Sequence, residues 1–368
     1  MERIEGRASP DGTRRFRERA HHAHAIPLEH FRTAPGDLFL SSFGLGTYIG
    51  SPDGATDVAV EQAAGICLTS HRVNVIDSAI NYRYQWAERS VGRAVARAIA
   101  AGTLQRDEVF LSTKIGYLAP DAESGEPIDG WVDRHLIHAG VLRPSEIVDG
   151  SHAMSVDYLA DQLTRSRQNL GVATIDLLYL HNAADAQLPV VGREEFFTRL
   201  EHAFAFLEAQ RASGAITTFG LATWDCLRAR RGDPTYVSLE SLVTLARRVG
   251  GPSHGFRFVQ FPFNVGMPEA LILRNQVVGG ERMTLFEAAR RLEVGCFTSV
   301  PLFQGQLADS GLAAEGLTSA QSALQFARSA PGSLGPMVGQ KSPEHLSENL
   351  ALAETAVWSP AAVTEFLG

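Results

Sequence analysis

The sequence predicts a single-domain α/β protein folded as a closed (β/α)8 (TIM) barrel. Three observations carry that expectation. Short apolar runs alternate strictly with amphipathic helical stretches, the signature of a parallel sheet with right-handed crossovers. Counted from Gly44 there are eight such runs, the number that closes a barrel instead of leaving an open doubly wound sheet. Chemically distinctive side chains also fall at the carboxyl ends of consecutive runs, the rim where a barrel of this kind places its chemistry. The 368 residues suit one such barrel carrying an insertion.

Taken in order, residues 1–35 are polar, Arg-rich and without apolar periodicity, and read as an N-terminal arm. His21, His22 and His24 lie there, with no carboxylate or cysteine partner that would make a metal site of them. The domain proper is expected over 36–358, with 359–368 as a short tail. Asp37–Ser42 reads as one arm of a hairpin, and Phe43–Tyr48 as a glycine-spaced strand. Gly44-Leu45-Gly46 has no third glycine at the dinucleotide-fold spacing, so the glycines read as points of close backbone approach. A helix is predicted over Asp57–Ser70, capped by Thr56, then the strand Val73–Asp77, a helix over Ala87–Ala101 and the strand Val109–Lys114. The rhythm breaks at 116–152, a polar Gly/Pro-rich insertion long enough to be functional, containing Trp131, Asp133, His135 and His138. It resumes with the helix Val156–Leu170, stopped by Gly171, and the strand Ile175–His181. The predicted helix Glu194–Ala212, strand Ile216–Ala222, helix Leu239–Val249 and strand Phe256–Phe261 follow. Last come the helix Thr284–Leu292, strand Val294–Val300, helix Ser319–Arg328, strand Pro336–Gly339 and helix Pro343–Glu354.

Bulk composition excludes several classes. A net charge of -8 argues against nucleic acid as a partner. No apolar run reaches membrane-spanning length, and residues 1–19 lack the apolar core of a secretory signal. Cys67, Cys226 and Cys296 form neither a disulfide framework nor a metal pair, so a cytoplasmic setting is expected and no metal. Oligomerisation, a homo-oligomer included, is left open. Of the 33 basic residues only Lys114 and Lys341 are lysines. Where arginine is used almost everywhere, the two lysines mark places that call for a compact ammonium.

The candidate site follows from the strand ends. Asp77 closes the second strand, with Tyr82 in the loop after it; Lys114 closes the third and His181 the fourth. Singly, Asp77 could be an ordinary strand-end carboxylate, and His181 a satisfied core histidine. A lysine ending an apolar strand needs a partner, because burying an unpaired ammonium is costly. Together the four suit proton transfer to a carbonyl oxygen. The Lys114 ammonium is expected to lower the tyrosine pKa, with Asp77 holding it and His181 orienting the substrate oxygen.

Ile76–Tyr82, Ser112–Lys114, Asp176–His181 and Ser347–Asn349, in this order and spacing, resemble the aldo-keto reductase family, bacterial type, over about Phe43 to Glu354. The resemblance implies a (β/α)8 barrel binding NADPH in preference to NADH along its carboxyl rim. It also implies reduction of an aldehyde or ketone, or the reverse, with Tyr82 as proton donor and Asp77, Lys114 and His181 completing the tetrad. For the cofactor it implies Gly46 and Thr47 beside the nicotinamide, Thr223 and Gln260 at its carboxamide, and Ser299 at the position of the usual stacking aromatic. Leu302, Gly305 and Leu307 match the loop over the pyrophosphate. Gly339, Lys341, His345, Glu348 and Asn349 match the adenine end, with His345 in place of the familiar arginine and Lys341 supplying charge. Tyr48, Tyr117, Trp131 and Trp224 are the candidate pocket liners, and Tyr84 and Trp86 stand close to the rim. Two other classes remain: a slow or nonenzymatic redox-sensing subunit similar to potassium-channel β-subunits, and a lyase forming a Schiff base on Lys114.

Overall fold

Eight short apolar strands, each buried on both faces, close into one parallel ring in the computed structural model, which describes residues 3–368. Three elements precede the ring. Helix α1 (Pro10–His24) starts at Ser9, whose hydroxyl accepts from the Gly12 N–H, and strands β1 (Phe31–Ala34) and β2 (Leu38–Ser41) form an antiparallel hairpin. A helix here corrects the expectation of an irregular arm over 1–35. Its buried face is only Gly12, Thr13, Phe16 and Ala20, a stripe too sparse to register among the surrounding charges. The hairpin closes the bottom of the barrel: Ala34, Leu38 and Leu40 join Phe110, Leu177, Phe258 and Phe297 in the interior cluster.

The ring begins with β3 (Gly44–Gly46), then α2 (Gly54–Thr69), β4 (Val75–Asp77), α3 (Trp86–Ala100) and β5 (Phe110–Ile115). Helix α2 starts earlier than predicted, because the Asp53 carboxylate, not Thr56, accepts the capping bond, at 2.8 Å from the Thr56 N. The insertion 116–152 folds locally: α4 (Ile128–Val132) runs into a wider turn over Asp133–Ile137, and Trp131, Leu136, Leu142, Ala153 and Tyr158 form a separate small core. Then come α5 (Val156–Leu170), β6 (Ile175–His181) and α6 (Ala183–Ala212), which is broken at Gly192 (φ 79°, ψ 169°). Only its second part, from 194, was predicted; the first part carries Pro189, which sequence rules read as a breaker. Strand β7 (Ile216–Ala222), α7 (Leu239–Gly250) and β8 (Phe256–Pro262) follow, then the short α8 (Glu269–Ile272) and the hairpin β9 (Gln276–Val278) and β10 (Glu281–Met283). Helix α9 (Leu285–Arg291), β11 (Gly295–Ser299), α10 (Ser319–Ser329), β12 (Ser333–Gly339) and α11 (Pro343–Ala351) complete the circuit. The ring order is β11-β12-β3-β4-β5-β6-β7-β8.

The predicted tail 359–368 is instead α12 (Pro360–Leu367). Val363 is fully buried, and Phe366 packs on Trp358 with ring centroids 4.9 Å apart. Among the described residues no helix is long and apolar enough to cross a membrane. No group of three or more His, Cys, Asp or Glu side chains among them is placed to hold a metal ion.

Candidate active site

Parallel pairing carries three of the four predicted residues to the same end of the ring, each two residues further along its strand than the last. Asp77 pairs in register with Ser112, two residues before Lys114, and Lys114 pairs with Tyr179, two before His181. Because side chains alternate along a strand, Ser112 and Lys114 face the barrel together. The Lys114 ammonium bonds the Asp77 carboxylate and donates to the Ser78 carbonyl at 2.8 Å, while the Ser112 hydroxyl holds the other Asp77 oxygen at 2.7 Å. Both charged groups are almost completely buried. The Tyr82 ring lies against this pair, its centroid 4.7 Å from Lys114 Nζ, and meets His181 edge-on at 5.7 Å and Tyr48 at 5.0 Å. The four residues read as a unit are brought together.

The loop carrying Tyr82 is strained. Arg83, Tyr84 and Gln85 are left-handed in succession, at φ 48°, 51° and 75°, each unfavourable by roughly 1–3 kcal/mol for a residue with a Cβ. Bonds on both sides offset this. Gln85 donates from its backbone to the Ile80 carbonyl at 2.9 Å and from its side chain to the Ala119 carbonyl at 2.9 Å, and it accepts from Asn169 at 3.2 Å.

The charges behave differently from the sequence-based expectation in one respect. Desolvation pushes the Tyr82 phenol above its ordinary pKa, outweighing the lowering by Lys114; Asp77 adds to the rise. The ammonium's field is shared with Asp77, so it compensates the phenol only in part. Lys114 is raised: burial works against the ammonium, but the charges of Asp77 and Tyr82 more than restore it. His181 is held well below the usual histidine range by burial, then by Lys114 and His152, and is neutral at neutral pH.

An open cavity of about 850 Å³ lies between the loop after β3, the loop after β4 and the 116–152 insertion; none of the four residues lines it, and it adjoins them through Tyr48, Asn81 and Tyr117. Tyr48 and Tyr117 line it, with Asn81, Tyr84 and Arg83 on the tetrad side and Ile128, Asp129 and Asp133 opposite. Trp131 does not. It is 2% exposed inside the small core of the insertion and stacked on His135 at 4.9 Å, a correction whose cause is local burial. Trp224 is likewise outside this cavity. The residue is 38% exposed beyond β7, where its backbone N–H donates to the Asp185 carboxylate at 2.9 Å.

The remaining candidates trace the rim. Ala222 pairs with Gln260, Gln260 with Phe297, Ser299 with Pro262, Gly339 with Gly46, and Gly46 with Asp77, so an arc runs round to the tetrad. Gln260 is 4% exposed, and its side-chain N–H group has no partner, an orphaned buried donor near the mouth. Thr47 binds the Asp77 carbonyl and the Ser78 hydroxyl, and Thr223 contacts the Cys226 sulfur at 3.0 Å. Leu302, Gly305 and Leu307 form a tight turn on the Leu302 carbonyl after β11. A Cβ on Gly339 would lie 2.6 Å from Ile49 Cδ1, so a side chain there would have to displace the exposed Ile49, and Lys341 Nζ lies 3.0 Å from where a Cβ on Gly50 would stand. Ser342 caps α11 by accepting from the His345 N–H; His345 is exposed, and Asn349 is buried. Glu348 accepts the Thr318 hydroxyl, which engages one of its oxygens.

Two residues escaped the sequence reading. Asn81, whose Oδ1 lies 3.2 Å from His181 Nδ1, adjoins Tyr82 and could have been suspected from that position. His152, fully buried behind His181, gave no signal, since its partner is 29 residues distant and on a different element.

Residues 43–234, more than half of the chain, match the sequence profile of the aldo/keto reductase family. No curated protein matches by sequence. Solved structures match over nearly the whole chain. An aldo/keto reductase from Klebsiella pneumoniae in complex with NADP and acetate is 17% identical with a TM-score of 0.58, covering 92% of this chain and 94% of that one. The holo form of an aldo-keto reductase from Bacillus halodurans is 15% identical (TM-score 0.60, 91% and 95% covered), and the thermostable aldo-keto reductase Tm1743 with the inhibitor epalrestat is 16% identical (0.61, 92% and 98%). With the tetrad's spacing, the eight-stranded ring and the profile in agreement, the chain belongs to the aldo/keto reductase family.

Proposed function

We propose that the protein is an NADPH-dependent oxidoreductase that reduces an aldehyde or ketone to an alcohol, or runs the reverse reaction, with Tyr82 as proton donor. The observation that carries this reading is the buried Lys114–Asp77 pair against the Tyr82 ring, with His181 edge-on beside an open cavity. The Klebsiella pneumoniae relatives hold NADP and NADPH, which supports the same cofactor here. The rim suits it: the orphaned Gln260 donor fits a carboxamide oxygen, the Gly339 backbone leaves no side chain in the way, and Lys341 provides a charge for a phosphate. When bound, the nicotinamide supplies the hydride.

The chain's own residues handle the proton. Desolvation keeps Tyr82 protonated at neutral pH, so the phenol is poised to give its proton as negative charge gathers on a carbonyl oxygen. Lys114 then lies close enough to stabilise the phenolate left behind, and Asp77 and the Ser78 carbonyl keep the ammonium in place. Neutral His181 orients the oxygen by donating from Nε2. Its Nδ1 then accepts from the Asn81 amide nitrogen, which takes the place of Oδ1 after a half-turn. The Schiff-base alternative is disfavoured because Lys114 is held protonated, whereas a nucleophilic amine must be free.

The test is NADPH consumption with a panel of sugars and aromatic aldehydes. Tyr82→Phe is expected to lower kcat by about 10²- to 10⁴-fold, the usual contribution of general acid catalysis, with NADPH affinity held within about twofold. Undiminished turnover in Tyr82→Phe would remove the proton-donor role.

A further inference from the structure

Behind His181 stands a hydrogen-bonded chain that the proposed chemistry does not use. His152 is fully buried, and its Nε2 lies 2.9 Å from the His181 carbonyl oxygen. A carbonyl only accepts, so Nε2 carries the proton. The Nδ1 lone pair then accepts from the Gln187 amide at 3.0 Å, and the Gln187 oxygen accepts from Arg199 at 2.8 Å. Every atom in the chain has a matching partner with a neutral imidazole, and burial favours that form, with the pKa lowered to about 4.

The location gives this chain its meaning. Strand β5 stops pairing with β6 at Ile115–Leu180, one residue short of His181. The His152 ring takes over there and bonds the carbonyl of the last residue of β6. The backbone makes room for it: Gly116 is at φ +133°, and a Cβ on it would lie 2.6 Å from His152 Nε2. Tyr117, a cavity liner, is clasped between the two imidazoles, 5.1 Å from His152 and 5.0 Å from His181, both edge-on. Asn182 donates to its hydroxyl at 3.3 Å. His152 also makes antiparallel bridges to Tyr117 and Val148, which close the base of the insertion.

We propose that His152 is a positioning residue: it locks the insertion onto the end of β6, and so fixes the orientation of the His181 ring and of the Tyr117 wall relative to Tyr82. This rests on the oxidoreductase reading for its kinetic consequence but not for its structural one. Small displacements of a reacting group are costly, so the role should appear in kcat more than in cofactor binding.

The experiment compares His152→Phe, which keeps the bulk and loses the donor, with His152→Gln, whose amide nitrogen replaces Nε2–H. His152→Phe is expected to lower kcat about tenfold with NADPH affinity within about twofold, and His152→Gln to recover kcat to within about threefold of the parent. Parent-like kcat in His152→Phe, or equal loss in both variants at equal stability, overturns the proposal. A second readout separates this failure from that of the reading beneath it. In 15N-histidine-labelled protein, His152→Phe should shift the His181 ring resonances whether or not the protein turns over a carbonyl; an unchanged His181 spectrum overturns the positioning role. If His152→Phe does not fold, Gln187→Met, which removes the amide that donates to His152 Nδ1, is expected to shift the same resonances, and their constancy is equally decisive.

Discussion

Lys114 and Asp77 form a buried ion pair at the rim. Both are buried, and the pair is completed by Ser112 on the acid and the Ser78 carbonyl on the base. Removing one partner leaves an uncompensated charge in a low-dielectric site, which costs more than removing both. Lys114→Met is therefore expected to destabilise the fold by about 3–5 kcal/mol and abolish carbonyl reduction, while Asp77→Asn/Lys114→Met destabilises less than Lys114→Met alone. Urea denaturation of the variants measures the coupling; simple additivity would mean the pair is not coupled. At this scale the candidate tetrad was legible because strand ends can be counted along a sequence. The direction of the Tyr82 shift was not, because it depends on how much water the folded loop excludes from the phenol.

Elements show a different division. The 116–152 insertion reads as loop in sequence, yet it folds round Trp131, with Leu136, Leu142, Ala153 and Tyr158, and Arg165 lies 5.1 Å over the indole. An aromatic in a polar stretch was read as a pocket liner because nothing local shows that Tyr158, on the following helix, covers it. Trp131→Ala is expected to loosen the insertion and not the barrel, for a large-to-small core change of about 3–5 kcal/mol. Limited proteolysis should then cut within 118–153 while the barrel resists, and the KM for a carbonyl should rise with NADPH affinity unchanged. Cleavage spread over the whole chain would show instead that the insertion and barrel unfold as one. The left-handed run Arg83–Gln85 belongs here too: no glycine announces it, and it is held by Ala119 and Asn169 from other elements.

Across the described residues, four buried histidines, His30, His152, His181 and His254, have lowered pKa values in the folded state. Burial leads in every case: His181 lies well below the ordinary range, His152 is lowered to about 4, His30 to about 3, and His254 is lowered as well. Above pH 6.5 neither the folded nor the unfolded chain binds these protons. Below it the unfolded chain takes them up first, so stability falls as pH drops from 6.5 towards 4, by up to ~1.4 kcal/mol per pH unit for each histidine. Urea midpoints between pH 7 and 4.5 test this, and a flat profile over that range would contradict it. His30 is part of the bottom closure, where its ring bonds the Arg72 carbonyl at 2.7 Å and Ser42 at 3.0 Å. The two ends of the chain belong to the same folded unit. Phe16 in α1 is fully buried against Phe31 and His71, and α12 packs on α10 through Phe366 and Phe326.

The sequence by itself determined the eight-fold alternation, the barrel it closes and the rim at which Asp77, Lys114 and His181 meet. These follow from period, strand length and register, which are local or repeat along the chain. The tertiary structure alone decided that α1 and α12 are helices packed on the core, that Trp131 is interior, that Tyr82 is raised in pKa, and that His152 stands behind His181. Each depends on burial by residues remote in sequence, and burial is set by which surfaces meet once the ring has closed.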